Sequence, residues 1–246
     1  DYRIKLENII GESVAIKNSK KEALIASKST STVLITGESG TGKELFARAI
    51  HNHSNRVDNP FIAVNCAAIP DNLLESELFG YEEGAFTGAK KGGKLGMFEV
   101  AHKGSIFLDE IGDIPQNLQA KFLQLIQDRT FTPVGSLKNK KVDIRIISAT
   151  NVDLVSKVKE KKFREDLYYR LNVMPLHLPP LKDRLGDVPI LINYFLNIKS
   201  QKLHKGIPHI NQKLYKKMIS YCWPGNIREL ENCVENIVNL NGSTSY

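Results

Sequence analysis

Short, continuously apolar runs alternate along this chain with longer stretches in which apolar residues recur every three or four positions. The apolar runs fall at 33–36, 61–64, 105–108, 144–148 and 173–178. A strand that is apolar at every position is covered on both faces. Helical patterning lies between the runs, at 42–53, 71–79, 116–128 and 152–160. Strands alternating with helices predict an α/β fold with a parallel sheet and helices on both faces. After Leu178 the pattern changes. Pro179, Pro180 and the polar residues to Arg184 read as a linker, because proline opposes helix. Beyond it, 188–203, 211–221 and 226–240 read as amphipathic helices, with Pro189 and Pro224 near helix starts, where proline is tolerated. The expected organisation is an α/β subdomain over 1–178 and a small helical subdomain over 179–246. Residues 241–246 read as a helix stop and a frayed end.

Composition narrows this picture modestly. Of 246 residues, 41% are hydrophobic and 25% charged, the balance of a soluble globular chain. No apolar run approaches the roughly 20 residues of a membrane-spanning helix. The polar N-terminus is unlike a signal peptide and lacks a starting Met, so a piece of a longer, cytoplasmic protein is expected. Three cysteines, Cys66, Cys222 and Cys233, suggest neither a disulfide framework nor a zinc site. The net charge of +7 suits an acidic partner, but the lysines are scattered and fit a solvated surface better.

The chemistry begins after the first strand. Gly37-Glu38-Ser39-Gly40-Thr41-Gly42-Lys43 joins an apolar strand to a helix. Glycines at these positions let main-chain N–H groups approach a polyphosphate, the helix N-terminus adds partial positive charge, and Lys43 adds a full one. Glu44 stands where the general pattern has Ser or Thr on Mg2+, so direct metal ligation from this position is not expected. The strand at 105–108 ends in Asp109 and Glu110. Asp109 is placed to orient Mg2+ through water and Glu110 to polarise an attacking water, although both acids could simply cap the next segment. Thr150 and Asn151 end another strand, where they could contact a phosphate, or Asn151 could cap a helix. Arg164 and Arg170 suit the charge of a transferring phosphoryl group, or a pair with Glu165 or Asp166. Asn226 reads as the cap of the last helix. Arg228 sits in its first turn, a poor place for a cation unless an anion or Glu229 or Glu231 is near. Gly84-Ala85-Phe86-Thr87-Gly88-Ala89 presents one large apolar side chain among small residues, a contact tip or a loop with Phe86 tucked inward.

Together these motifs resemble the AAA+ ATPase domain of bacterial enhancer-binding proteins, activators of the sigma-54 form of RNA polymerase. The resemblance runs from Ile9-Ile10-Gly11 to the segment 223–232. It implies that Ile9, Ile10 and Gly11 pack an adenine. It makes 37–44 a Walker A segment with Glu44 normal for the family, and 106–110 a Walker B segment. It implies that Asn65 restrains the catalytic Glu110, that Thr150 and Asn151 form a first sensor and Arg228 a second. Arg164 and Arg170 become fingers acting on a neighbour's ATP, and 84–89 the loop that contacts sigma-54. ATP and Mg2+ are the implied cofactors, and a ring, with six subunits expected, the implied assembly. Residues 132–136 depart from the family's usual Arg-Val-Gly-Gly at Pro133 and Ser136. The stretch from Asp1 to Tyr246 holds neither the sensory domain nor the DNA-reading helix-turn-helix that neighbour this domain in the family, so DNA binding is expected only through a domain absent from this chain. Two rivals are a different AAA+ remodeller, opposed by the 84–89 loop, and a regulatory module without turnover, opposed by Asp109, Glu110 and the two arginines.

Overall fold

A computed structural model of the chain describes residues 3–243; the rest of the expected frayed end lies outside these residues. The first helix, α1 (Val14–Ser27), starts at Ser13, whose hydroxyl accepts the Ile16 N–H. It leads into β1 (Val33–Thr36) and then α2 (Lys43–Asn52). Next come β2 (Phe61–Asn65), α3 (Asp71–Phe79), the single turn α4 (Met97–Val100), β3 (Ser105–Asp109) and α5 (Gln116–Asp128). A small antiparallel pair follows, β4 (Thr130–Phe131) and β5 (Lys140–Lys141). The α/β part closes with β6 (Arg145–Thr150), α6 (Leu154–Lys159), α7 (Glu165–Leu171) and β7 (Met174–His177). Helices α8 (Val188–Lys202), α9 (Gln212–Ser220) and α10 (Asn226–Asn239) complete the chain.

Five strands form one parallel sheet in the order β2-β3-β6-β1-β7. Its register brings polar residues level at the strand ends. Thr36 lies beside Thr150 and His177, and Asn65 beside Asp109. The carboxyl ends of β1, β2, β3 and β6 therefore open onto one edge, the side where ligands bind parallel sheets. One face of the sheet packs Ile16, Ala23, Phe46, Ala47 and Ile50 from α1 and α2. The other packs Leu74, Leu78 and Phe79 of α3, Phe122 of α5 and Leu167 of α7. Phe79 meets Phe98 and Phe122 at 5.1 Å and 5.7 Å between ring centres. Fully burying each such ring contributes roughly 2–3 kcal/mol. Among the described residues, no helix is long and apolar enough to cross a membrane.

At the opposite edge, Arg145 opens β6 fully buried. Its guanidinium donates to the carbonyls of Ala26 and Ser27 at the C-terminus of α1, while Nε has no partner among the described residues. Burial without a carboxylate pushes this group down to about 10. The last carbonyls of α1 supply the partial negative charge that compensates it.

The segment after Leu178 is not a free linker. It turns through a 3-10 stretch, Leu181–Asp187, broken at Arg184. Arg184 and Asp187 are both buried and paired at 2.8 Å. Asp187 also accepts the N–H groups of Glu12 and Ser13 at 2.7 Å and 2.9 Å, and Arg184 donates to the Ile10 carbonyl at 2.7 Å. Charge hidden in a proline-flanked stretch thus ties the N-terminal segment to the start of the helical part. That part has its own core, with Leu191, Phe195, Trp223, Leu230, Val234 and Ile237 buried together. No disulfide joins the cysteines: Cys66 and Cys233 are buried and Cys222 is exposed. Burial pushes the Cys66 thiol up to about 12.

Candidate functional site

The loop after β1 is shaped by two left-handed glycines. Gly40 has φ +79°, and a Cβ there would stand 2.3 Å from the Gly225 carbonyl oxygen. Gly42, at φ +95°, caps the N-terminus of α2. Either position strains any other residue. Within the loop, the Thr41 hydroxyl donates to the Glu38 carbonyl at 2.8 Å. Lys43 is 7% exposed, and its ammonium donates to the Gly37 and Glu38 carbonyls at 2.9 Å each. Burial lowers its pKa, and the nearby charges of Asp109 and Glu110 oppose the shift.

These groups line a cleft of about 390 Å³ that also presents Ser39, Asn65, Asp109, Glu110 and Arg228. Burial raises the Asp109 carboxyl, and the Glu110 N–H it accepts at 2.9 Å works the other way. Burial first, and then the charge of Asp109, raise Glu110. A carboxylate so raised takes a proton more readily near neutral pH. Glu110 stands at φ +53°, a left-handed conformation sparsely used by side-chain-bearing residues. A buried ammonium bonded only to carbonyls, at the mouth of a helix N-terminus, fits a polyphosphate. For Mg2+ the fit is indirect. Among the described residues no three His, Cys, Asp or Glu gather as a metal site. Asp109 supplies a carboxylate, as suits a magnesium ion that takes its other ligands from phosphate and water.

Glu44 lines the same cleft and accepts from Arg48 at 2.7 Å and 2.9 Å. Asn65 lines the cleft without meeting Glu110. Its carbonyl oxygen accepts the Ala67 and Ala68 N–H groups at 3.0 Å and 3.2 Å, while Glu110 is held by the main chain of Asn151. Thr150 is buried, and its hydroxyl accepts the Val152 N–H at 3.1 Å. Thr150 and Asn151 line a neighbouring cavity with Gly37, Glu38 and His177.

A second hollow, of about 260 Å³, adjoins the loop at Thr41 and Gly42. Ile9 and Ile10 line it from one side, Leu45 of α2 from below, and Leu191, Tyr194 and Ile227 from the helical part. Gly11 stands behind this wall, where a Cβ would strike the Arg184 guanidinium at 2.2 Å. The contribution of α8 has no motif in the sequence. It appears only once the helices fold back over the loop.

Asn226 is not the cap of α10; Gly225 is, and Glu229 accepts the Gly225 N–H at 2.7 Å. Asn226 instead reaches Glu38, Ser39 and Leu181. Arg228 pairs with neither Glu229 nor Glu231 and donates to the Ser39 hydroxyl at 3.3 Å. Glu231 pairs with Lys199 instead. Arg164 caps the N-terminus of α7 and Arg170 lies in its last turn; neither lines either hollow of its own chain.

Between α3 and α4, Gly84 and Gly88 have φ of +79° and +95°, and Cβ atoms there would meet nothing within 4 Å. Phe86 is 42% exposed and rests edge-on against Tyr81, 4.9 Å between ring centres. Phe86 is thus neither tucked into the core nor free of the loop: it is part-exposed and leans on the loop's own base. Residues 132–136 brace that base. Tyr81 bridges to Val134 and Lys94, Ala85 sits against Gly135, and the Ser136 hydroxyl donates to Glu82 at 2.6 Å.

A phosphate loop, two acids on the neighbouring strand but one, and a helical part folded over the loop define an AAA+ P-loop NTPase fold. The sequence matches the family model described as the sigma-54 interaction domain over residues 9–177 and that of the AAA+ ATPase lid domain over 182–245, and the chain belongs to the sigma-54 interaction domain family. It is 56% identical over 240 residues to a signal-transduction and transcriptional-control protein of Clostridium beijerinckii, covering 98% of this chain and 38% of that one. It is 51% identical over 234 residues to the regulatory protein AtoC of Escherichia coli strain K12, covering 95% and 50%. The crystal structure of NtrX from Brucella abortus in complex with ADP superposes with a TM-score of 0.89 at 37% identity, covering 97% of this chain and 52% of that one. Its complex with ATP gives the same TM-score. The chain thus spans well under two thirds of the length of these proteins.

Proposed function

We propose that this chain is the ATP-hydrolysing motor of a transcriptional activator that remodels the sigma-54 RNA polymerase closed complex. The observation that carries the reading is Lys43, buried in a glycine-shaped cleft facing Asp109 and Glu110. ATP sits with its phosphates on the 37–43 loop and its base in the hollow of Ile9, Ile10 and the lid. Lys43 and the loop N–H groups hold the phosphate charge, Asp109 would hold Mg2+ through water, and Arg228 approaches from the lid. Magnesium held there would supply positive charge toward the phosphoryl group. Glu110 takes a proton as water attacks the γ-phosphorus and the bond to the β-phosphoryl oxygen breaks. Asn65 leaves its own turn to restrain Glu110 between turnovers, and Thr150 and Asn151 report the phosphate state. Arg164 and Arg170 serve a neighbour's site, so the active form is a ring, with six subunits as the expected count. The 84–89 loop carries the motion to sigma-54. The protein works in the cytoplasm, and any DNA reading belongs to segments outside this chain.

The test is ATPase activity measured against protein concentration, followed by capture of sigma-54 with a transition-state analogue bound. Turnover per subunit should rise with concentration, and sigma-54 should be retained only with the analogue. No ATP hydrolysis at any concentration overturns the motor reading, and no sigma-54 capture overturns the partner.

A further inference from the structure

Asn226 opens α10 at φ +55° with no exposed surface. Both ends of its amide are engaged. Oδ1 accepts the Leu181 N–H at 2.7 Å, and Nδ2 donates to Glu38 Oε2 and to the Ser39 carbonyl at 3.0 Å each. One residue along, the Ile227 N–H donates to the Gly40 carbonyl at 3.0 Å. The lid therefore grips three consecutive residues of the phosphate loop through two consecutive residues of its own. Glu38 is held from the other side as well, since its carbonyl accepts from the Lys43 ammonium.

This arrangement gives phosphate entry a mechanical consequence. An ammonium binds phosphoryl oxygens more strongly than neutral carbonyls, so phosphate draws Lys43 off Gly37 and Glu38. Glu38 then keeps Thr41 on its carbonyl at 2.8 Å, with Lys182 3.6 Å from one carboxylate oxygen, while Asn226 holds the other carboxylate oxygen at 3.0 Å and is its hydrogen bond to α10. A buried amide bonded at both ends moves with its partners, because breaking either bond leaves a polar atom that no water replaces. We infer that Asn226 is the positioning residue that couples the state of the phosphate loop to the lid, acting through Glu38 and Ser39 rather than through any contact of its own with nucleotide. This rests on the ATP-binding reading above. It assigns the lid a response separate from the guanidinium of Arg228.

The chain carries its own reporter. Trp223 is its single tryptophan, is buried, and its carbonyl accepts the Asn226 N–H at 2.8 Å. Calorimetry on the 246-residue chain measures affinity for ADP and for a non-hydrolysable ATP analogue, and Trp223 emission measures the lid's response. Wild type should bind and shift its emission. Asn226→Asp sets a carboxylate against Glu38. It should still bind within roughly tenfold of wild type, a coupling-sized effect, yet lose the emission shift. Glu38→Ala removes the side-chain bond of the joint from the loop's side, leaving the Ser39 and Gly40 carbonyl bonds, and should diminish the shift without touching the lid core, which keeps the test valid if Asn226→Asp unfolds by circular dichroism. Adding Glu38→Gln to Asn226→Asp should restore the shift, because the new amide donates to the new carboxylate. A role confined to folding the lid predicts no such rescue. A normal emission shift in Glu38→Ala, a wild type that binds without any shift, or a folded double variant no better than Asn226→Asp overturns the inference. Wild type that binds no nucleotide overturns the motor reading instead.

Discussion

Asp166 holds the Arg164 guanidinium in a two-pronged ion pair, Oδ1 to Nε at 3.0 Å and Oδ2 to Nη2 at 2.8 Å. Arg170, in the last turn of the helix that Arg164 caps, has no ion pair among the described residues. The two arginines thus wait differently: one is stowed on its own chain and one is not. Both are largely exposed, so the Arg164 pair contributes little to stability, and a more concentrated anion can compete for it. Arg170→Ala should bind ATP nearly as wild type and lose turnover. Mixed with Lys43→Ala, it should recover part of the activity, because some interfaces then combine an intact loop with an intact finger. Mixtures without activity at every ratio remove the support for action between subunits.

Glu110 and Asp109 share one cleft but are asked for different work. Glu110→Gln keeps size and removes the proton acceptor. Nucleotide affinity should stay, and turnover should fall roughly 10²-fold or more, the range for a missing general base. Because Glu110 is raised above the ordinary carboxylate range, the acid limb of the ATPase pH profile should lie above that range as well. Near-normal turnover in Glu110→Gln takes Glu110 out of the chemistry.

Phe86 leans on Tyr81 and remains 42% exposed. An aromatic anchor at an interface contributes about 2 kcal/mol or more. Phe86→Ala should therefore hydrolyse ATP as wild type does while failing to retain sigma-54 with the transition-state analogue. Thr87 can add a hydrogen bond, so both activities belong in one preparation. Normal retention by Phe86→Ala, or joint loss of both activities, contradicts the division of labour.

The Arg184–Asp187 pair carries a stability prediction. Asp187→Ala leaves a buried guanidinium without its counter-ion, which costs about 3 kcal/mol or more. For a domain of this size that is a fall in melting temperature of roughly 6–12 °C. Asp187 titrates below the ordinary carboxylate range, held there by Ser13, the Glu12 and Ser13 N–H groups and Arg184 against the effect of its burial. Its contribution is complete above the unfolded carboxylate pKa, about 4, and disappears as pH falls through the lower folded value. The gap between wild type and Asp187→Ala should thus close only in acid. Thermal melts across pH check both the size and the window.

The five parallel strands were legible because the central ones, β1, β3 and β6, are buried almost throughout, while β2 and β7 at the sheet edges keep shorter apolar runs with exposed positions. Only their ends moved, by a residue or two. Helix α1 was not legible: it buries Ile16, Ser19, Ala23 and Ala26 while Val14 and Ile25 are exposed, so no clean stripe marks it. The phosphate loop and the paired acids announced themselves, because their chemistry demands residue types in a fixed order. Asn226 did not. Its partners lie 45 and about 190 positions away, and as a local signal an Asn after Gly reads as a cap. The Arg184–Asp187 pair was hidden for the same reason, since local sequence shows two charges beside prolines and nothing of the Ile10 carbonyl that meets them.

The three cysteines divide the folded chain into compartments with separate access. A thiol reagent meets Cys222 at once, beside Trp223 on the helical part. Cys66 is walled in behind the sheet with its thiol held protonated, and Cys233 lies in the lid core. The unmutated chain therefore takes one label quickly, and each later label is a clock. Cys233 times the loosening of the helical part and Cys66 the opening of the α/β part. Any ligand that bridges the two parts should slow both clocks, without a single residue having been changed.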